Sequence, residues 1–305
     1  MKHKPLLQRM LLIFAFFNIY FIWGSTYLAV AFGLKGFPPF ILVGLRYFIA
    51  GVILLAYCKI KGEIFPPQKL LLKQALSGIL MLVGGTGMIA WAEQYISSGQ
   101  AAILVATEPL WFLVLDKKNW NVYFSNKFIL AGLLIGFSGI FLFLKADHLQ
   151  VSHSTIGLVA TFVVLLSAVW WVLGSLIINN SKGESSVMMN SSMQLLPAAV
   201  VSGFIALFTG EISSFSFNNV PTNAWLGLLF LIVFGSFAAY LSFVWLISQR
   251  PLALISTHTY VNPVVAVFLG WLLANEHLVK GQLVGLVIIL IGIVLVNLPE
   301  YRKAT

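Results

Sequence analysis

The chain has 305 residues, of which 60% are hydrophobic and only 9% charged, and its mean hydropathy is +0.96. Soluble domains carry about 25% charged residues, and a soluble fold of this length could not hide so much apolar surface, so the solvent around most of the chain is lipid. The net charge of +9 would suggest nucleic acid in a soluble protein, but beside this hydropathy it reads as the Lys and Arg excess of cytoplasmic loops, and nucleic acid is excluded as a partner.

Backbone in lipid must satisfy its own hydrogen bonds, which leaves helices or a closed barrel. The apolar runs here are continuous rather than alternating, and this selects helices. In chain order the spans are predicted at 11–32, 39–58, 74–93, 98–115, 127–144, 156–178, 186–209, 223–247, 252–274 and 281–298. Met1–Arg9 is basic like the start of a signal peptide, but the run from Met10 to Phe32 is too long for one and reads as a retained first span. Turn chemistry separates the spans at Phe37-Pro38-Pro39, Phe65-Pro66-Pro67, Ser97-Ser98-Gly99, Asn179-Asn180-Ser181, Asn218-Asn219-Val220-Pro221 and Gln249-Arg250-Pro251. The boundary between the third and fourth spans carries the weakest signal. The lone cysteine, Cys58, rules out an internal disulfide and reads as apolar filler.

Loop charge fixes an expected orientation. With the N-terminus inside, fourteen basic residues fall on cytoplasmic segments, among them Lys59, Lys61, Lys69, Lys73, Lys117, Lys118, Lys182 and Arg250, against three outside, Lys35, Lys145 and Lys280. Both termini are therefore predicted to be cytoplasmic.

The chain also repeats itself. At a shift of 153, Lys127, Leu130, Gly132, Leu133, Ile135, Gly139, Ile140 and Leu142 meet identical residues from Lys280 to Leu295. Trp91 meets Trp245 and Pro109 meets Pro263 at 154, and Trp23 meets Trp171 at 148. A five-span repeat forces its two copies into opposite orientations, and the Lys-rich 59–73 loop faces a counterpart at 210–222 with none. The expected fold is all-α and polytopic: ten transmembrane helices as two inverted five-helix repeats, 11–144 and 156–298. That is a transporter architecture.

Several stretches resemble one family. They are Ile22-Trp23-Gly24-Ser25-Thr26-Tyr27, Gly44-Leu45-Arg46-Tyr47-Phe48, Ala106-Thr107-Glu108-Pro109-Leu110 and Tyr260-Val261-Asn262-Pro263-Val264-Val265-Ala266-Val267. They resemble motifs of the EamA family in the drug/metabolite transporter superfamily, over nearly the whole chain. Family members often carry Gly-Glu after the fourth and ninth spans; here Asn275-Glu276 keeps part of it, and the first unit has Asp116-Lys117-Lys118-Asn119 instead. The resemblance implies a ten-helix carrier, often an exporter of metabolites or amino acids, in a bacterial inner membrane. It also implies that the fifth and tenth helices are peripheral and the others line a central cavity.

Arg46 and Glu108 are the charged side chains well inside spans. A charge at mid-bilayer costs at least about 2.5–3.5 kcal/mol, so such residues face a cavity or a partner. Their depths, about 10 and about 15 Å from the outer end at 1.5 Å per residue, allow an ion pair, either a static clamp or part of a substrate site. Pro109 and Pro263 are expected to kink corresponding helices, each freeing a carbonyl. The ninth span adds His258, Tyr260 and Asn262, which can bond a polar solute or another helix, and His258 can carry a proton. Trp23, Tyr27, Trp91, Trp171, Tyr240 and Trp245 complete the candidate substrate pathway, with helix packing as the alternative. Trp120, Trp225 and Trp271 fit an interfacial belt. The Gly132–Gly136 and Gly281–Gly285 spacings read as scaffold contacts rather than a dimer seam.

No phosphate-binding loop, metal-ligand spacing or catalytic motif stands out, so no cofactor or metal is expected. The predicted function is secondary transport: export of a small metabolite, amino acid or amphipathic compound by alternating access, as monomer or homodimer, coupled to protons or a counter-solute. Two other classes stay open, an intramembrane lipid-modifying enzyme and a channel or scaffold protein.

Overall fold

The computed structural model describes residues 3–146, 155–180, 185–250, 252–273 and 280–304. Asn275-Glu276, Lys182 and Pro251 lie outside the described residues. The described residues are overwhelmingly helical and contain no strand. The long elements are α1 (Leu6–Gly33), α2 (Pro39–Ile60), α3 (Gln68–Ala92), α4 (Ser98–Leu115), α5 (Lys127–Ala146), α6 (Thr155–Asn179), α7 (Val187–Phe208), α8 (Thr222–Gln249), α9 (252–273) and α10 (Lys280–Ala304). Seven of these are long and apolar enough to cross a bilayer. α5, α9 and α10 contribute shorter apolar stretches, Lys127–Gly139, His258–Leu273 and Leu283–Val296. α9 is short because it breaks at Ser256-Thr257, which leaves Leu252–Ile255 as a separate turn.

Local chemistry sets the helix ends. Pro39 opens α2, where a missing amide hydrogen costs nothing. Gly62, at φ 76°, closes it, and the Glu63 amide reaches back to the Cys58 carbonyl. The weakly marked third turn is real: Ser97 accepts from the Gln100 amide while Gln100 Oε1 accepts from Ser97 N, a reciprocal cap that starts α4. After α4, buried Asp116 accepts from Asn119 Nδ2 and Tyr123 Oη, each at 2.8 Å. The Asp-Lys-Lys-Asn sequence thus closes a loop on itself, and burial, then the Asp116 charge, raises the Tyr123 phenol well above its usual range.

The bundle is inside-out relative to a soluble protein. Leu134, Phe162, Phe204 and Leu226 point outward at 57–70% exposure, while Asn18, Arg46, Gln74, Glu108, Gln194, His258 and Asn262 are buried. Helices without a hydrophobic drive to associate need close contact and polar links, and both occur. α5 packs chiefly against α10. A Cβ on Gly132 would lie 2.6 Å from the Gly292 carbonyl, and one on Gly139 would lie 2.9 Å from that of Gly285. The glycine spacing therefore serves an intrachain seam. α2 packs on α7, α4 on α9, α3 on α6 and α1 on α8.

The two ends of the bundle are distinct. Glu211 Oε2 accepts from the amides of Phe40 and Ile41, each at 3.0 Å, so the 209–221 segment caps the start of α2. At the other end of α2, Ser186 donates to Glu63 Oε2 at 2.7 Å. The 61–67 and 209–221 segments thus lie at opposite ends of the same helix.

The α5–α10 seam makes a sharp test. Gly292→Leu has no room beside the Gly132 carbonyl and the Gly136 amide and is expected to cost several kcal/mol or prevent folding, whereas Gly203→Ala, with nothing within 4 Å of the new Cβ, is expected to be neutral. Thermal unfolding of the two purified variants in detergent checks this.

Candidate functional site

Three helices widen where they approach the centre. α1 is π-helical over Asn18–Ile22, α3 over Ile79–Gly87 and α8 over Leu231–Tyr240. π-Turns are rare and gather at functional sites. Each here carries an interior polar side chain: Asn18 donates to Ser242 at 3.0 Å, Thr86 pairs with the Tyr47 hydroxyl, and Ser236 accepts from Arg46 Nε at 2.9 Å.

A narrow cavity is bounded by α1, α3, α4, α6 and α9, and the π-turn of α3 contributes to its wall. Trp23, Tyr27, Glu108, Trp171, His258 and Asn262 line it, six of the residues singled out from sequence. Gly85, Thr86, Ile89, Val105, Ser167 and Ala168 complete the wall. Sequence reasoning passed over these because small and aliphatic residues carry no chemical signal of their own; the Gly-Gly-Thr run at 84–86 was the one available hint. A Cβ on Gly85 would sit 3.0 Å from the Trp171 ring, so glycine there leaves room for the indole.

One wall is aromatic. Trp23 meets Trp171 edge-on at 5.1 Å and Phe243 at 5.3 Å, and stacks on the His258 ring at 5.2 Å. Phe243 was also missed by sequence. His258 Nδ1 lies 2.8 Å from the Ile255 carbonyl. A carbonyl only accepts, so Nδ1 carries the hydrogen and neutral His258 presents Nε2 as an acceptor. Ser167 and Thr86 spend their hydroxyls on the Val164 and Leu82 carbonyls. With its amide nitrogen set toward the backbone, Asn262 donates to the carbonyls of Tyr20 at 2.9 Å, Ile19 at 3.0 Å and His258 at 3.1 Å. It staples the π-turn of α1 to α9. Two polar atoms on the wall have no partner: Glu108 Oε1 and the Trp171 indole nitrogen.

The ion pair that similar depths allowed is not made. Arg46 bonds to Ser236, lies over the Tyr47 ring at 5.5 Å and leans on Gly235, whose Cβ would fall 2.7 Å from Nη2. Arg46 is tied to α8, while Glu108 opens onto the cavity. The kinks differ too. Pro109 follows a break at Ala106-Thr107 directly, whereas Pro263 lies inside the helix His258–Leu273 and the break falls earlier, at Ser256-Thr257. There the Thr257 hydroxyl, bonded to Tyr20 Oη at 2.8 Å and to the Leu254 carbonyl, repairs the interruption.

The remaining pathway residues sit elsewhere. Tyr240 donates to Gln194 Oε1, and Gln194 Nε2 donates to Gln74, a buried chain linking α8, α7 and α3. Tyr260 packs with Ile103, Ala106, Val267 and Ile289, and Trp245 packs against the main apolar core. Trp91 lines a wide vestibule at the 34–39 end, about 520 Å³ in volume, with Lys35, Gln94, Tyr95 and Glu211. Burial raises the Glu211 carboxyl above its ordinary range, and its two amide bonds oppose that shift. The central cavity holds only about 20 Å³ for water centres, about the room of one water molecule.

Comparison with known proteins decides what kind of machine this is. The model of the EamA-like transporter family matches residues 10–145 and again 158–298. The chain belongs to the EamA-like transporter family. The uncharacterized inner membrane transporter YedA of Escherichia coli (strain K12) is 34% identical over 290 residues, covering 94% of this chain and 90% of that one. The uncharacterized transporter YoaV of Bacillus subtilis (strain 168) is 26% identical over 282 residues, covering 90% and 93%. A protein of known crystal structure superposes with a TM-score of 0.73 at 16% identity, over 97% of this chain and 99% of its own. That likeness shows a shared fold. This EamA-like chain is therefore a multi-pass membrane transporter of small molecules, not an enzyme.

The Asn262 staple yields a second test. Asn262→Leu removes the two side-chain N–H donors shared among these α1 and α9 carbonyls, and each buried polar group left unpaired costs about 1–3 kcal/mol. A clear loss of thermal stability in detergent is the expected outcome.

Proposed function

We propose that this EamA-like chain is a secondary carrier of a bacterial inner membrane, exporting a small metabolite, amino acid or amphipathic compound by alternating access through the central cavity. The observation that carries this reading is Glu108: a buried carboxylate oxygen without a partner, facing a cavity where α1, α4, α6 and α9 meet. A group that costly inside a membrane is retained for work.

We read the fold as two inverted five-helix units, 11–144 and 156–298, with both termini cytoplasmic. Exchanging α1 with α6, α2 with α7, α3 with α8, α4 with α9 and α5 with α10 maps the main packing pairs onto one another. α3 and α8, which trade places, both carry long π-turns. The opposite-end placement of 61–67 and 209–221 fits an inversion. The family model's match to both halves supports the same division.

Two such units give a carrier two near-equivalent arrangements, one opening to each side. In this arrangement the wide vestibule lies on the outer side and the cavity is pinched shut. Trp91 stands on the vestibule wall, two residues along α3 from Ile89 on the cavity wall. Trp245, its repeat mate, occupies the corresponding place near the far end of α8. Both are assigned as gate residues, and Pro109 and Pro263 as stiff joints of α4 and α9.

The test begins from a Cys58→Ser background. Single cysteines at Ile64 and Phe217, both exposed, are expected to label from the cytoplasmic and outer faces respectively. A cysteine at Ser167 in the cavity is expected to react from either face as the carrier cycles. Labelling of 64 and 217 from one face, or of 167 from one face alone, would count against alternating access. Glu108→Gln is expected to lower flux at least about ten-fold at normal membrane abundance, the scale of one lost charge-assisted contact.

A further inference from the structure

We infer that the central cavity selects a solute carrying one protonated amine beside a flat apolar group, with Glu108 as the anionic anchor and the Trp23–Trp171–His258 cluster as the aromatic wall. This deepens the carrier reading and rests on it.

The polar groups of the wall divide into those already bonded and those left free. The hydroxyls of Thr86 and Ser167 are spent on backbone carbonyls, and the Asn262 nitrogen is spent on three more. Among the lining residues, no hydrogen bond engages Glu108 Oε1, His258 Nε2, the Tyr27 hydroxyl or the indole N–H groups of Trp23 and Trp171. Glu108 brings the one carboxyl group among them. No Lys or Arg is among the lining residues. The buried cation of the interior, Arg46, is held away by Ser236. A carboxylate-bearing solute would meet repulsion from Glu108 and find no cationic partner. An ammonium can donate to both Glu108 and His258, and cations are favoured over indole faces.

Geometry adds the second half. Trp23 stacks on His258 and meets Trp171 edge-on, so the carboxylate and a slot of flat rings share one space. The room present, about 20 Å³, admits a water but no organic amine, so loading requires the helices to part.

The test uses the full-length protein in nanodiscs and four probes of similar size: 2-phenylethylamine, 2-phenylethanol, 3-phenylpropionate and phenylalanine. Binding is read by calorimetry. The amine is expected to bind saturably and at least about ten-fold more tightly than the alcohol and the acid, the scale of a single charged contact. Glu108→Gln should weaken the amine by a similar factor, while Glu63→Gln, outside the cavity, should not. Acid or amino-acid binding equal to or tighter than the amine overturns the inference, as does amine binding unchanged in a monodisperse Glu108→Gln. Failure of all four probes to bind overturns it too. If Glu108→Gln does not fold, the ranking of the four probes on the wild-type protein decides. The cysteine-labelling result is independent of any probe, so a working carrier with the wrong solute class is told apart from a chain that does not alternate.

Discussion

A polar group inside a bilayer has no water to bond, so each one must find a partner within the protein or be kept for a purpose. This constraint arranges the interior of the EamA-like chain. Gln74, Gln194 and Tyr240 satisfy one another across three helices. Arg46 settles on Ser236, and Asn262 consumes three backbone carbonyls. Glu108 Oε1, by contrast, has no partner, and neither has the Trp171 indole nitrogen on the same wall.

The same constraint explains where the backbone departs from a regular helix. A π-turn or a break frees carbonyls, and freed carbonyls at membrane depth need donors. The π-turn at Asn18–Ile22 lies under Asn262, which supplies them. The break at Ser256-Thr257 is repaired by the Thr257 hydroxyl and the Tyr20 contact. The irregular turns of α1, α3, α4 and α9, though not that of α8, therefore border or adjoin the central cavity. Regular, glycine-sealed packing lies away from it, in the α5–α10 seam.

Much of this was legible from the amino-acid order. Helix character follows from long apolar runs, and the family from the motifs around Trp23, Arg46, Glu108 and Asn262. Six cavity residues were named because a charge, an imidazole or an indole inside a span is conspicuous. What was not legible depends on rotation about the helix axis. Arg46 and Glu108 have similar depths along their helices, but depth says nothing about facing, and Arg46 turns to α8. Pro263 announces a kink that the helix makes a turn and a half earlier, where two hydroxyls can repair it. Gln74 and Gln194 read singly as ordinary polar residues; only their meeting across the bundle gives them a role. The π-turns have no sequence signature here beyond glycine in the segments Ile79–Gly87 and Leu231–Tyr240.

The unequal spaces along the axis connect this chemistry to movement. The vestibule at the 34–39 end has about 520 Å³, whereas the cavity beside Glu108 has about 20 Å³, too little for an organic solute unless helices separate. Separation is cheapest where packing is already irregular, because π-turns can return to α-geometry by shifting one residue of register without losing their hydrogen bonds wholesale. Such a shift in α3 would carry Thr86 and Ile89 around the axis and change both the cavity wall and the footing of Trp91. The α5–α10 pair, locked by backbone contact at Gly132, Gly139 and Gly292, has no comparable freedom. The fold thus divides into a regular, glycine-sealed edge and an irregular centre, and the unpartnered Glu108 oxygen lies in the irregular part, directly after the break in α4.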